Sequence, residues 1–173
     1  MYGSAAVTGA QVVYDRHNLQ KKISNHYAAL QAYRSIYIDT DKYKDTNVSV
    51  STFNNVMLIT GQTPSPEQKF EIGRIVKNVS DDRDVYNFTE ICSPVSHLTA
   101  LSDSWITTKI KSQFIAANDI DPNLIKVITE NGTVYLIGIV PPEQAEIAVK
   151  IASATSGVQN VVKVFSYSRI TKT

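Results

Sequence analysis

The sequence predicts an α+β protein built from two tandem αββαβ modules, each a three-stranded mixed sheet packed by two helices. Three observations carry this: a turn dipeptide that recurs 77 positions later, an identical Pro-Glu-Gln tripeptide after each turn, and apolar spacing that switches from strand-like to helix-like at matching points. A phrase spelled twice is a structural unit used twice.

The turns are Asn54-Asn55 and Asn131-Gly132. Asn-Gly is a strong hairpin signal because both turn positions need φ > 0, which glycine adopts freely and asparagine tolerates. A strand-like run precedes each, "NVSVST" and "LIKVIT", in which Val48 matches Ile125 and Val50 matches Val127. Their alternation gives each strand one buried face. "VMLITG" and "TVYLIG" follow, ending at Gly61 and Gly138, and near-continuous apolarity predicts a central strand covered on one side and partly on the other. Gly132 serves the turn, while Gly61 and Gly138 mark a strand end or close helix approach and not a ligand contact.

One inserted residue near Ser65 shifts the offset to 76, so that Pro66-Glu67-Gln68 matches Pro142-Glu143-Gln144. Proline in a first turn followed by an acid starts a helix. Helical spacing then places Ile72, Ile75, Val76 and Val79 on one face of the first copy, and Ala148, Ile151 and Ala152 on one face of the second. "DVYNFTEI" and "NVVKVFSYS" supply a third strand, with Val85 matching Val161 and Ser156-Gly157 stopping the helix before it. A helix between strands two and three is a crossover, so strand three runs parallel to a neighbour while the hairpin is antiparallel.

Each copy is led by a further helix. In the second, Ser102 or Asp103 is expected to cap a helix whose apolar residues Ile106, Ile110 and Phe114 recur every four positions until "NDIDP". In the first, Asn18 or a neighbour opens a longer helix with Ile23, Tyr27, Leu30 and Tyr37 on one face, ending near "DTDKYKD". "MYGSAAVTGA" reads as a flexible tether. The expected organisation is a tether over 1–14, a first module over 15–92, a linker over 93–101 and a second module over 102–170. Modules this small sit near the lower limit for an independent core, so the two are expected to touch.

Seventeen basic against sixteen acidic residues give a net charge of +1, so no global field draws the chain onto nucleic acid or an anionic membrane, and binding to either needs a local patch. Basic residues interleave with aromatics at Tyr33, Arg34 and Tyr43, but Asp39, Asp41 and Asp45 neutralise that region; nucleic acid is not an expected partner. The same aspartates lack the glycine and glutamate of a calcium loop. His17, His26 and His97 share no ligand spacing, and no nucleophile elbow or phosphate loop occurs, so the reading is of a non-enzyme with no metal, cofactor or catalytic residue. Cys92, the one cysteine, has no disulfide partner and is expected to be an inert, partly buried thiol. No apolar run is long enough to span a bilayer as a helix.

"DSWITTKIKSQF" together with "TENGTVYLIGIV" resembles the BON-domain family in wording and order, and a tandem pair behind a small-residue tether is similar to the family's dual-domain outer-membrane lipoproteins of Gram-negative bacteria. The first module departs from the pattern, with "FNNV" in place of a glycine turn. The resemblance implies a periplasmic protein held to the inner leaflet of the outer membrane by a lipidated cysteine. No cysteine lies near Met1, so signal peptide, lipobox and anchor are expected to lie outside this sequence. It also implies binding of anionic phospholipid, chiefly phosphatidylglycerol and cardiolipin, through the first helix of the second module, support of envelope integrity, and a link to the outer-membrane protein assembly machinery. The alternative is a protein-interaction adaptor that docks on an assembly or secretion complex without lipid binding.

Trp105, placed in the first turn of that helix, is rotated about 100° from Ile106 and belongs at the border of the core face. Its residue type suits either packing or a headgroup boundary. The resemblance makes it a lipid contact. Lys109, four residues on, shares its face, and Lys111 lies close. Ser102, Thr108 and Ser112 are the remaining candidates, as hydroxyl donors to phosphate.

Overall fold

A computed structural model describes the backbone of residues 4–168 and the surroundings of side chains 19–168; residues 1–3 of the expected tether and 169–170 of the expected second module lie outside the described residues. The elements run α1 (Ser4–Ile36), β1 (Asn47–Phe53), β2 (Val56–Thr63), α2 (Pro66–Asn78), β3 (Asp84–Asn87), β4 (Glu90–Ile91), α3 (His97–Ala116), β5 (Ile125–Glu130), β6 (Thr133–Val140), α4 (Pro142–Ala154) and β7 (Asn160–Tyr167). A short 3-10 turn at Pro122–Leu124 leads into β5.

Both hairpins form. Phe53 pairs with Val56 and Glu130 with Thr133, which leaves the two predicted dipeptides as the turns. Asn131 and Gly132 both take positive φ, 47° and 74°, whereas in the first copy only Asn54 of the Asn54-Asn55 pair does, at 53°. The third strands pair in parallel with β2 and β6, Val56 opposite Asp84 and Thr133 opposite Asn160. In the first module this strand breaks. The Asn87 side chain donates to Lys69 O (2.8 Å) and accepts from Thr89 N (3.2 Å) and Thr89 Oγ1 (2.7 Å), so the chain leaves the ladder and rejoins it as β4, Glu90 opposite Gln62. Gly61 and Gly138 face Val48 and Ile125 across the hairpins. A Cβ at either would collide with a backbone carbonyl, Asn47 O or Leu124 O. Their close neighbour is therefore the chain entering the adjacent strand, Asn47 at the start of β1 and Leu124 at the end of the 3-10 turn, and not a packed α-helix.

Period-two alternation sorts each central strand into two faces. Met57 and Ile59 meet α1 and α2 through Ala28, Ala32, Ile36, Ile72 and Val76. Val134, Leu136 and Val140 meet α3 and α4 through Ile106, Ile110, Phe114, Ala145, Ala148 and Ala152. The opposite faces meet each other: Leu58, Phe53, Val56 and Phe88 of the first module pack on Tyr135, Ile137, Ile128, Val162 and Val164 of the second. The result is four layers, helices outside and two sheets within. The second cover expected over the central strands is the other module's sheet.

Polar groups close the rim of this joint. Gln62, fully buried, accepts from Asn47 Nδ2 (2.9 Å) and Val95 N (3.3 Å) and donates to Glu130 Oε1 (2.8 Å). Asn131 Nδ2 donates to Glu90 Oε2 (3.1 Å), and Lys126 Nζ to Thr52 O (3.2 Å). Burial, with the Glu90 and Glu130 carboxylates nearby, pushes the Tyr135 hydroxyl up to about 12. Burial likewise raises the Glu130 carboxyl above its ordinary range, helped by Asp103 and Glu90 and opposed by the Gln62 hydrogen bond. A carboxyl raised on folding contributes stability that is complete below its unfolded pKa and is lost as pH rises through the folded one. Glu130→Gln, which keeps an oxygen for Gln62, is therefore expected to raise the melting temperature at pH 7 and to have little effect at pH 4. Equal shifts at both pH values would contradict this.

Three expectations are corrected. The segment read as a tether is helical from Ser4, because Ala5, Ala6, Ala10 and Gln11 favour helix and no proline interrupts them; Asn18 opens nothing. Its expected core face is inverted. Ala28, Ala32 and Ile36 seat α1 on the sheet, Tyr37 is half-buried, and Ile23, Tyr27 and Leu30 face solvent. Small residues let a helix backbone lie close to a sheet, and here they outrank larger apolar ones. Cys92 is exposed, at the end of β4 on the rim of the sheet.

Candidate functional site

The second module's leading helix starts earlier than its sequence suggests. Ser96 caps α3, accepting from Thr99 N at 3.3 Å, so the helix begins inside the expected linker and Trp105 stands in its third turn instead of its first. Asp103 is no cap. It is buried, and its carboxylate accepts from Asn131 N (2.7 Å) and Gly132 N (2.9 Å), clamping the tip of the β5–β6 hairpin to the helix. A turn built from two left-handed residues leaves its N–H groups pointing out of the ladder, and a carboxylate satisfies both.

Ile106, Ile110 and Phe114 form the buried face of α3, as expected. Turned away from them, Leu98, Leu101 and Trp105 are 78%, 68% and 56% exposed. Spacings of three and four align these side chains in one stripe. Trp105 thus lies beyond the border of the core, in solvent. Lys109 extends the stripe by one turn, its Nζ 4.7 Å from the centre of the indole. At an exposed position such a cation–π contact contributes about 0.5–1 kcal/mol, enough to bias the ring's orientation.

The other candidates are less uniform. Ser102 is exposed beside Leu101. Thr108 and Ser112 are exposed too, but each donates its single hydroxyl proton to the carbonyl one turn back, Thr108 to Ser104 O and Ser112 to Thr108 O, both at 2.9 Å. As they stand they present acceptors outward, not donors. Lys111 is exposed away from the stripe and faces Lys126, whose pKa is lowered first by burial and then by that neighbouring charge. The structure brings Trp105 and Lys109 together and leaves Lys111 apart. Leu98 and Leu101 were missed because the helix start was set too late; Ser96 followed three residues later by Thr99 was the available signal.

Comparison with protein families matches the BON domain model over residues 30–93 and 102–169, most of the chain. The chain belongs to the BON-domain family. It is similar to a Haemophilus influenzae protein called "Outer membrane lipoprotein DolP", 32% identical over 165 residues that cover 95% of this chain and 85% of the relative. A "21 kDa hemolysin" of Actinobacillus pleuropneumoniae is 32% identical over 75% of this chain and 66% of its own, and "Osmotically-inducible protein Y" of Escherichia coli is 28% identical over 74% and 65%. This is a dual BON-domain protein of the DolP type. α3 is the first helix of the second BON domain, and Leu98 and Leu101 lie just ahead of the matched segment. Among the described residues no helix is long and apolar enough to cross a membrane.

Proposed function

We propose that the protein is a non-catalytic lipoprotein of the periplasm, on the inner leaflet of the outer membrane, that binds anionic phospholipid through the outer face of α3 and so supports envelope integrity. The observation that carries this reading is the solvent-facing stripe Leu98, Leu101 and Trp105 with Lys109 over the indole. A Leu or Trp left in water gains about 1.5–3 kcal/mol on full burial, and each lysine near an anionic leaflet adds roughly 1 kcal/mol. Partial burial of three apolar side chains beside one cation amounts to weak, reversible attachment. That suffices beside an acyl anchor, because the second contact is then made at high effective concentration. An indole favours the headgroup boundary, with its ring toward the acyl chains and its N–H toward water.

The similarity to an outer-membrane lipoprotein supports the location, and a link to the outer-membrane protein assembly machinery belongs to the same proposal. Flotation with vesicles tests the lipid preference. The protein should float with phosphatidylcholine vesicles containing phosphatidylglycerol or cardiolipin, much less with phosphatidylcholine alone, and less as salt rises. Flotation with neither kind of vesicle would leave the adaptor reading in its place, and equal flotation with neutral and anionic vesicles would overturn the anionic preference.

A further inference from the structure

We propose that the outer face of α1 is a second contact for an anionic bilayer, separate from the one on α3. The inversion of α1 is the starting point. Three small or aliphatic residues one turn apart, Ala28, Ala32 and Ile36, hold the helix on its sheet. Across the helix from them Leu19, Ile23, Tyr27 and Leu30 line up at spacings of four, four and three, with Ile23 60% and Tyr27 65% exposed. The stripe is roughly 17 Å long at the rise of an α-helix. Large apolar side chains kept in line on the face opposite the packing face call for a partner.

Charge identifies the partner. Between Asp15 and Asp39 the sequence holds no acid, but it holds Arg16, Lys21, Lys22 and Arg34, with His17 and His26 besides. Lys21, Lys22 and Arg34 are exposed and form no ion pair among the described residues, and Arg34 stands beside Tyr27 and Leu30 over a shallow depression that reaches Ile38. A second copy of this helix would set these cations against one another. Arg34 lies on the stripe, while Lys21 and Lys22 stand on the helix flank toward β1, where they line a depression with Phe53 and Asp121. A cationic stretch of helix without acids, with one solvent-facing apolar stripe, is the composition of helices that lie in the plane of an anionic membrane surface. Leu19, Ile23 and Tyr27 also precede the first matched BON segment, which starts at residue 30, so the feature belongs to this chain's extended helix.

α1 and α3 occupy opposite outer layers of the four-layer sandwich, and a single flat bilayer does not meet both stripes. The two contacts are therefore separable by mutation. The test is co-sedimentation with phosphatidylcholine–phosphatidylglycerol vesicles of the wild type, Ile23→Ser/Tyr27→Ser, Trp105→Glu, and all three changes together. Because Ile23 and Tyr27 are exposed, the double variant should melt like the wild type. Trp105→Glu should retain residual binding, and adding the α1 changes should weaken that residue by about tenfold or more. If Trp105→Glu has no effect while the α1 changes do, the reading of α3 fails and this one stands. Loss of all binding in Trp105→Glu alone, or identical binding by Trp105→Glu and the triple variant, would overturn the proposal. So would a solution dimer that Ile23→Ser/Tyr27→Ser dissociates, since the stripe would then belong to a second copy.

Discussion

Asp103→Ala is expected to destabilise the protein by about 3 kcal/mol, on the order of 10 °C in melting temperature for a chain of this size. Both oxygens of Asp103 accept backbone N–H groups of the Asn131-Gly132 turn, and the Gly132 bond is buried from water. Without the carboxylate these donors lose charge-assisted partners, and at least one is left unsatisfied inside the protein. The loss is offset in part because Asp103 repels the Glu130 carboxylate, which would then ionise more readily. Asp103→Asn keeps one acceptor oxygen but turns an amide toward the other donor, so it should fall between alanine and the wild type. Denaturant unfolding of the three proteins checks the order. A loss below about 1 kcal/mol for alanine would mean that the hairpin tip does not depend on the clamp. The stripe on α3 points away from this site, so vesicle binding by folded Asp103→Ala should persist.

Trp105→Glu is expected to do the reverse. It removes the largest apolar body of the stripe and puts a carboxylate where an anionic headgroup would approach, so binding to phosphatidylglycerol or cardiolipin vesicles should fall by about tenfold or more, to the residue that α1 sustains. Stability should hardly move. Trp105 has more than half its surface in water and belongs to none of the buried core clusters, so the cost should stay within about 1 kcal/mol, well short of the roughly 3–5 kcal/mol of truncating a core tryptophan. Lys109→Glu, with one charge reversed and the indole retained, should weaken binding less.

Much of this architecture was legible because its signals are local. The Asn54-Asn55 and Asn131-Gly132 turns, the repeated Pro-Glu-Gln and the strand and helix periods lie within a few residues of what they specify, and all formed where the repeat placed them. What failed depends on distant or ambiguous contacts. α1 is apolar on two faces, so periodicity alone does not choose between them; the flat run Ala28, Ala32 and Ile36 won because it fits the sheet closely. β6 announced a second cover by its unbroken apolarity, but the residues that provide it, Leu58 and Phe88, lie in the other module with no spacing to reveal them. The break after Asn87 follows from one side chain that bonds Thr89 two residues on and Lys69 O on α2. Asp103 looked like a cap because aspartate often is one, and its true partners come after β5. At the candidate site, Trp105 and Lys109 were legible from i, i+4 spacing, whereas Leu98 and Leu101 were hidden by an error in where α3 begins.

Trp105 is the one tryptophan of the chain, so its fluorescence reports the environment of the proposed contact without labelling. The most direct measurement is its emission during titration with phosphatidylglycerol- or cardiolipin-containing vesicles, with brominated acyl chains in a parallel series. Insertion of the indole among the headgroups predicts a blue shift with anionic vesicles, quenching by the brominated lipid, and neither with phosphatidylcholine alone. Emission that stays at its solvent-exposed wavelength and unquenched, while the protein sediments with the same anionic vesicles, would show that the membrane is met by another face and would contradict the assignment of α3.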